Sequence, residues 1–336
     1  MHSSSLPVRQ GVFCVAIAAT AWGTGGAVAA ELNDVGGMGP ISVSFWRFLT
    51  GLGLLLAAHL VRRSRRPEMA PALRTTFAAN PRRTVITGCG LAVYQTAYFA
   101  SVQQAGLTVA TMVTLGSGPV LVAVGARFTL GERTGAAGNT AMASGVVGLM
   151  LLTIGADGTT GSAPLLGIGC ALLSAVGYAG VTLLGRSSGR GDAGGGFEST
   201  LTGFAVGTVC LLPMALLEGL LPDLERPVRT VGLIVYLGAV PTAVAYTLFF
   251  VGLGVVRATT ASVVALVEPL TAAVIGVLAF GERLDATVLT GTALLLFAVL
   301  FLAVDEWNGR AASRGTPAPG ADHAERARGP AMQAED

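Results

Sequence analysis

Ten stretches of this chain run for about twenty residues with almost no charge. They fall at roughly 11–30, 41–61, 84–102, 107–129 and 134–155, then at 164–185, 199–220, 231–253, 257–280 and 286–304. At a rise of about 1.5 Å per residue, each can cross a hydrocarbon layer about 30 Å thick. Composition agrees: 52% of the 336 residues are hydrophobic and 12% are charged, against roughly 25% charged in a soluble domain. A lipid-exposed span must close its backbone hydrogen bonds internally, which selects helix, and barrel strands would show alternating polarity instead. The expected class is an all-α integral membrane protein with ten transmembrane helices. A soluble enzyme is excluded.

All 21 basic residues are arginine, a compositional bias rather than a nucleic-acid-binding pattern. Cys14, Cys89, Cys170 and Cys210 sit in apolar runs without metal-ligand or disulfide spacing. His2, His59 and His323 are scattered, so no metal or other cofactor is expected. Arg9 followed by an apolar run imitates a signal peptide. The run is instead read as the first span, because a later segment repeats it. Placing residues 1–10 in the cytoplasm puts seventeen arginines inside, three outside (Arg226, Arg229, Arg283) and Arg47 within a span. This asymmetry predicts cytoplasmic N- and C-termini. The Gly-rich stretch 186–198 reads as a flexible loop, and the Ala-, Gly- and Pro-rich residues 305–336 read as a disordered cytoplasmic tail.

The chain also repeats itself. At an offset of 150 residues Gly131, Glu132 and Arg133 fall on Gly281, Glu282 and Arg283, Pro119 on Pro269, Gly88 on Gly238 and Phe99 on Phe249. At an offset of 156, Gly11 falls on Gly167, Cys14 on Cys170 and Trp22 on Tyr178. The repeats are therefore 11–155 and 156–304. Five spans is an odd number, so the second copy enters the membrane from the opposite face. Inverted halves make a pseudo-twofold axis in the membrane plane, and exchanging their conformations turns an inward-open cavity into an outward-open one.

Trp22-Gly23, Trp46-Arg47-Phe48, Pro119 with the first Gly-Glu-Arg triplet, and Glu268-Pro269 with the second resemble the drug/metabolite transporter superfamily. Within it the chain is similar to ten-helix exporters with two EamA domains. The resemblance covers about 11–304 and implies secondary transport, commonly efflux of amino acids or related metabolites, through a cavity between the halves. Gly118 stands where the second copy has Glu268, so a carboxylate at that site is single.

Few charges lie within spans, and a charge in the bilayer centre costs about 2.5–3.5 kcal/mol on insertion scales. Glu268 is twelve residues from either end of 256–280 and precedes Pro269, which breaks the helical hydrogen-bond ladder. It reads as a proton- or cation-binding group, or as a neutral acid bonded to a neighbouring helix. Arg47 reads as a structural or gating residue, pinned to carbonyls or snorkelling outward, with a grip on a substrate carboxylate as the sharper alternative. Trp22, Tyr94, Gln95, Tyr98, Thr111, Ser117, Tyr178, Thr242 and Tyr246 complete the cavity candidates, their hydroxyls and aromatic faces suited to a small zwitterion. The same residue types, with Ser174, Thr182 and Thr114 in the same stripes, also bind membrane helices to one another, as the Gly203 and Gly207 pair of the seventh span does. Pro119, Pro269, Glu132 and Glu282 read as structural or gating positions.

The function expected is a secondary transporter, with a small polar metabolite and the bilayer as partners and protons as a candidate coupling ion. Import, exchange and drug-like cation efflux are alternatives, as is a non-transporting scaffold. A membrane-embedded enzyme would need converging nucleophiles or metal ligands, and none converge in the sequence. The topology is checked with single cysteines in a cysteine-free background. Arg74→Cys and Arg190→Cys should react with impermeant reagents only from the cytoplasm and Asp157→Cys only from outside; labelling of position 74 in intact cells overturns it.

Overall fold

The computed structural model describes residues 7–65, 80–105, 107–132, 135–154, 164–189, 195–222, 225–280 and 286–314. The helices of the first half are α1 (Val8–Gly36), α2 (Pro40–Arg65), α3 (Pro81–Ala105), α4 (Leu107–Thr129) and α5 (Ala136–Ile154). Those of the second are α6 (Pro164–Gly189), α7 (Gly195–Glu218), α8 (Pro227–Gly238), α9 (Ala245–Val255), α10 (Ala258–Val264), α11 (Val267–Phe280) and α12 (Ala286–Arg314). A π-helical turn at Ala239–Val244 joins α8 to α9, and α10 continues into α11, so the described helices trace ten crossing segments. Six are long and apolar enough to span by themselves, and the remaining segments contain shorter apolar helices. Apolar side chains face outward: Phe128 and Leu278, equivalent at the 150-residue offset, are each 81% exposed. Such a surface is solvated by lipid, and the chain is a multi-pass membrane protein.

Two of the expected boundaries move. Helix α12 carries residues 305–314, which the sequence assigned to the tail, because Ala, Glu and Arg there propagate a helix already started; residues 315–336 lie outside the described ones. Helices α6 and α7 take up most of 186–198, leaving 190–194 outside the described residues. Arg186 is consequently a helical, buried residue rather than a loop one.

The halves interlock reciprocally. Helix α1 packs along α9 and α11 of the second half, while its repeat mate α6 packs along α3 and α4 of the first. The pairs α2 with α7 and α5 with α12 each join a helix to its own mate. Glycines mark the close approaches. A Cβ on Gly88 would lie 2.4 Å from Val206, and one on Gly238 2.6 Å from Thr50. Gly11 would meet Val255 and Gly167 would meet Ala105, each at 2.3 Å. In both cases the obstructing residues are themselves repeat mates, so the contacts obey the same twofold relation as the sequence. The architecture is two inverted five-helix repeats.

Breaks in the helices follow from proline. Pro241 has no N–H for the carbonyl of Leu237, and the Thr242 hydroxyl donates to that carbonyl at 2.6 Å while the backbone widens into the π turn. Before Pro269 the ladder is interrupted at Ala265–Leu266, where the amides of Leu266 and Glu268 reach back only three residues, to Val263 and Ala265. Glu268 thereby enters the first turn of α11. Pro119 lies inside the continuous α4.

At the end of α4, Gly131 adopts a φ of +66°, which stops the helix at little steric cost. The Glu132 amide then reaches back to the Ala126 carbonyl at 3.1 Å. The Glu132 carboxylate accepts from Arg186 at 3.0 Å and from the Ala258 amide at the start of α10 at 3.2 Å. Arg186 also donates to the carbonyls of Leu253 and Gly254, at 3.0 Å each. The first half is thus clasped to two helix ends of the second. Both charged side chains are 8% exposed. Glu282 and Arg283, like Arg133, lie outside the described residues.

Removing one member of a buried ion pair costs about 3 kcal/mol or more, whereas replacing both with apolar side chains is often close to neutral. Glu132→Leu and Arg186→Met should each lower stability to unfolding in detergent by at least that order. The double variant should lose clearly less than the two losses combined. Strict additivity would show that the pair is not coupled.

Candidate functional site

Glu268 stands at the junction between the halves. Gly23 of α1 approaches so closely that a Cβ there would lie 2.6 Å from both the Glu268 carbonyl and Thr271. This gives the Trp22-Gly23 pair a physical reason: the glycine admits the broken helix, and the indole before it packs on the neighbouring α9. The Trp22 ring lies 5.0 Å from Tyr246, edge on, and 5.1 Å from Phe249.

Glu268 is partly accessible although it lies deep among the helices. It opens into a pocket lined by Tyr94, Leu115, Pro119, Tyr178, Ser262 and Leu266, with Ala265 beside it. The cavity is small, about 10 Å³, room for roughly one water-sized group. Tyr94 and Tyr178 stand 5.8 Å apart by ring centroids, and Tyr178 lies 6.5 Å from Phe249. A Cβ on Gly118, the repeat mate of Glu268, would make ordinary contact with the Tyr178 ring at 3.4 Å. Pro119 removes the amide that would close on the Leu115 carbonyl, and both residues border the pocket.

Arg47 is set by its neighbours. Trp46 donates to the Leu220 carbonyl at 2.7 Å, and Phe48 packs on Phe204 at 4.6 Å. At the start of the same helix Glu218 accepts from the Ser42 amide at 2.6 Å, satisfying one of the free N–H groups of its first turn. With α2 fixed against α7 in this way, Arg47 is partly buried, its guanidinium carbon 5.8 Å from the Phe48 ring centroid. Its Nε is buried without a hydrogen-bond partner, as are Trp22 Nε1 and the Tyr178 hydroxyl. Among the described residues, no ion pair within 4 Å joins Arg47 to Glu268.

Of the sequence candidates, Tyr94, Tyr178 and Pro119 join Glu268 around the pocket, whereas Trp22 packs on Tyr246 and Tyr98 bonds Thr111 outside its lining. Pro269 is buried one residue beyond Glu268. Gln95 turns away to donate to Ser44 at 3.2 Å, linking α3 to α2. Thr242 is fully buried in the π turn. Ser117 bonds the Val113 carbonyl at 2.5 Å, and Thr111 bonds the Tyr98 hydroxyl at 2.9 Å. Thr114 and Ser174 bond the carbonyls of Ala171 and Tyr94 across helices, at 3.2 and 2.8 Å. The hydroxyl stripes therefore serve largely as joints between and within helices. Ser262, Leu115 and Leu266 were not singled out from the sequence, and nothing but their proximity to the two prolines distinguished them.

Comparison with known proteins bears on the family and the fold. The EamA-like transporter family matches residues 9–154 and again 165–304. An uncharacterized transporter of Archaeoglobus fulgidus is 30% identical over 298 residues, covering 87% of this chain and 96% of the relative. The uncharacterized transporter YwfM of Bacillus subtilis is 28% identical over 289 residues, 86% of this chain and 92% of its own. A solved crystal structure, 21% identical, superposes with a TM-score of 0.71 over 88% of this chain and 98% of its own, a likeness of fold. Two family matches, one on each repeat, place the chain plainly: it belongs to the EamA-like transporter family, a member of the drug/metabolite transporter superfamily.

Proposed function

We propose that the protein is a secondary transporter of the cell membrane, with both termini cytoplasmic, exporting amino acids or related small polar metabolites by alternating access. One observation carries the reading: a lone, partly accessible carboxylate, Glu268, at the break of a membrane helix, in a pocket lined from both repeats. A carboxylate so placed binds a proton or an ammonium group, and the tyrosine faces around it favour a cation. A pocket at the interface of inverted repeats changes its exposure when the halves exchange conformations. The clasp of Glu132 and Arg186 ties the halves together near one membrane face, where such an exchange must break or remake contacts.

The pocket alone also favours a second reading, efflux of drug-like cations, because carboxylate and aromatic rings are what such ligands require. The two readings part at Arg47, which a pure cation would avoid.

In proteoliposomes, Glu268→Gln should reduce flux driven by a pH gradient to background. Exchange of substrate for substrate should survive, because glutamine keeps the shape and hydrogen bonding of the neutral acid and exchange moves no net proton. A Gln variant whose pH-driven flux equals the parent's would reduce Glu268 to a packing residue.

A further inference from the structure

Arg47 has an alternative that it does not take. It lies seven residues into α2 from Pro40, about 10 Å from the helix end, within reach of the polar interface for a side chain of its length. Instead the arginine is partly buried beside Phe48, whose ring packs on Phe204 and through it on Tyr246. There its Nε has no acceptor. The Trp22 Nε1, on a ring 5.0 Å from that of Tyr246, is buried and unpartnered as well. A buried donor left unsatisfied is destabilising, and a buried cation more so. Glu268 does not relieve Arg47 by direct pairing among the described residues. Among the described residues, neither charge is closed by an ion pair within 4 Å.

We propose that Arg47 and Trp22 form an anion subsite that takes the carboxylate of a zwitterionic substrate, while Glu268 takes its cationic end. This rests on the transporter reading above. The planar guanidinium offers parallel N–H donors that match a carboxylate's two oxygens, and the indole N–H adds a donor that carries no charge. Trp46 and Phe48, fixed against α7, hold the arginine in this direction. A ligand lying between the two charges would satisfy both. A cation without a carboxylate would meet Arg47 as a repulsive charge, so the arginine sets specificity as well as affinity.

The test uses the purified full chain in liposomes and reads counterflow by mass spectrometry. The probes are a mixture of the twenty standard L-amino acids and, separately, the matching amines that lack the carboxylate. The parent should exchange one or more amino acids in preference to the matching amines. Arg47→Gln should lower that exchange about tenfold or more, as expected for loss of a charged partner in a buried site, and should raise the amine relative to the amino acid. Arg47→Lys should recover part of the loss, keeping the charge without the fork, and Trp22→Phe should show a smaller loss of the same kind. Unchanged melting of the variants in detergent separates these effects from misfolding. A parent that prefers the amines overturns the subsite but leaves a carrier. So does an Arg47→Gln variant that keeps its amino-acid exchange, or loses both substrates equally. A parent that moves none of the probes overturns the transporter reading for these substrates, and the subsite with it.

Discussion

In hydrocarbon a backbone amide has no water to turn to, and the whole arrangement of this protein depends on where that rule is relaxed. Ordinary spans satisfy it by remaining helical, packed through glycines that let neighbouring backbones approach closely. The exceptions at Pro241 and Pro269 each have a local remedy, the Thr242 hydroxyl in one case and three-residue backbone turns in the other. Both breaks fall in segments of the second half. The inverted halves are related by contact pattern, yet differ in the very place where a carboxylate enters.

Charge obeys a similar logic. Glu132 and Arg186 are paired and further bonded to backbone groups, which suits a structural joint. Glu268 and Arg47 are partly buried without such closure among the described residues. A membrane protein that retains charge in this form has it available for a ligand or a proton. The contrast between the two pairs, one satisfied and one not, separates the joint from the site.

Much of the fold was legible in the sequence, because charge-free length fixes spans and an odd number of spans per repeat fixes inversion. The Gly-Glu-Arg triplet was legible as a helix stop, and the positive φ of Gly131 supplies the mechanism. The direction of side chains was not. Membrane helices are apolar on nearly every face, so hydrophobic periodicity says little about which stripe meets lipid and which meets protein. Gln95 and Thr242 therefore look as suitable for a cavity as Tyr94 does, until packing turns them aside. Arg186 was hidden differently, since glycines and serines after it resemble a loop while neighbouring helices hold it in one. The close approach of Gly23 to the Glu268 carbonyl joins residues 245 positions apart in the sequence, and no local pattern announces it.

Alternating access at the interface of the halves is the central claim, and accessibility of the pocket from each face tests it most directly. Leu115 borders the pocket beside Pro119. In an otherwise cysteine-free chain, oriented in liposomes, Leu115→Cys should react with an impermeant thiol reagent added on either side. Substrate or a pH gradient should raise labelling from one face as it lowers labelling from the other. Labelling confined to one face under every condition, with no response to substrate or pH, would contradict alternating access.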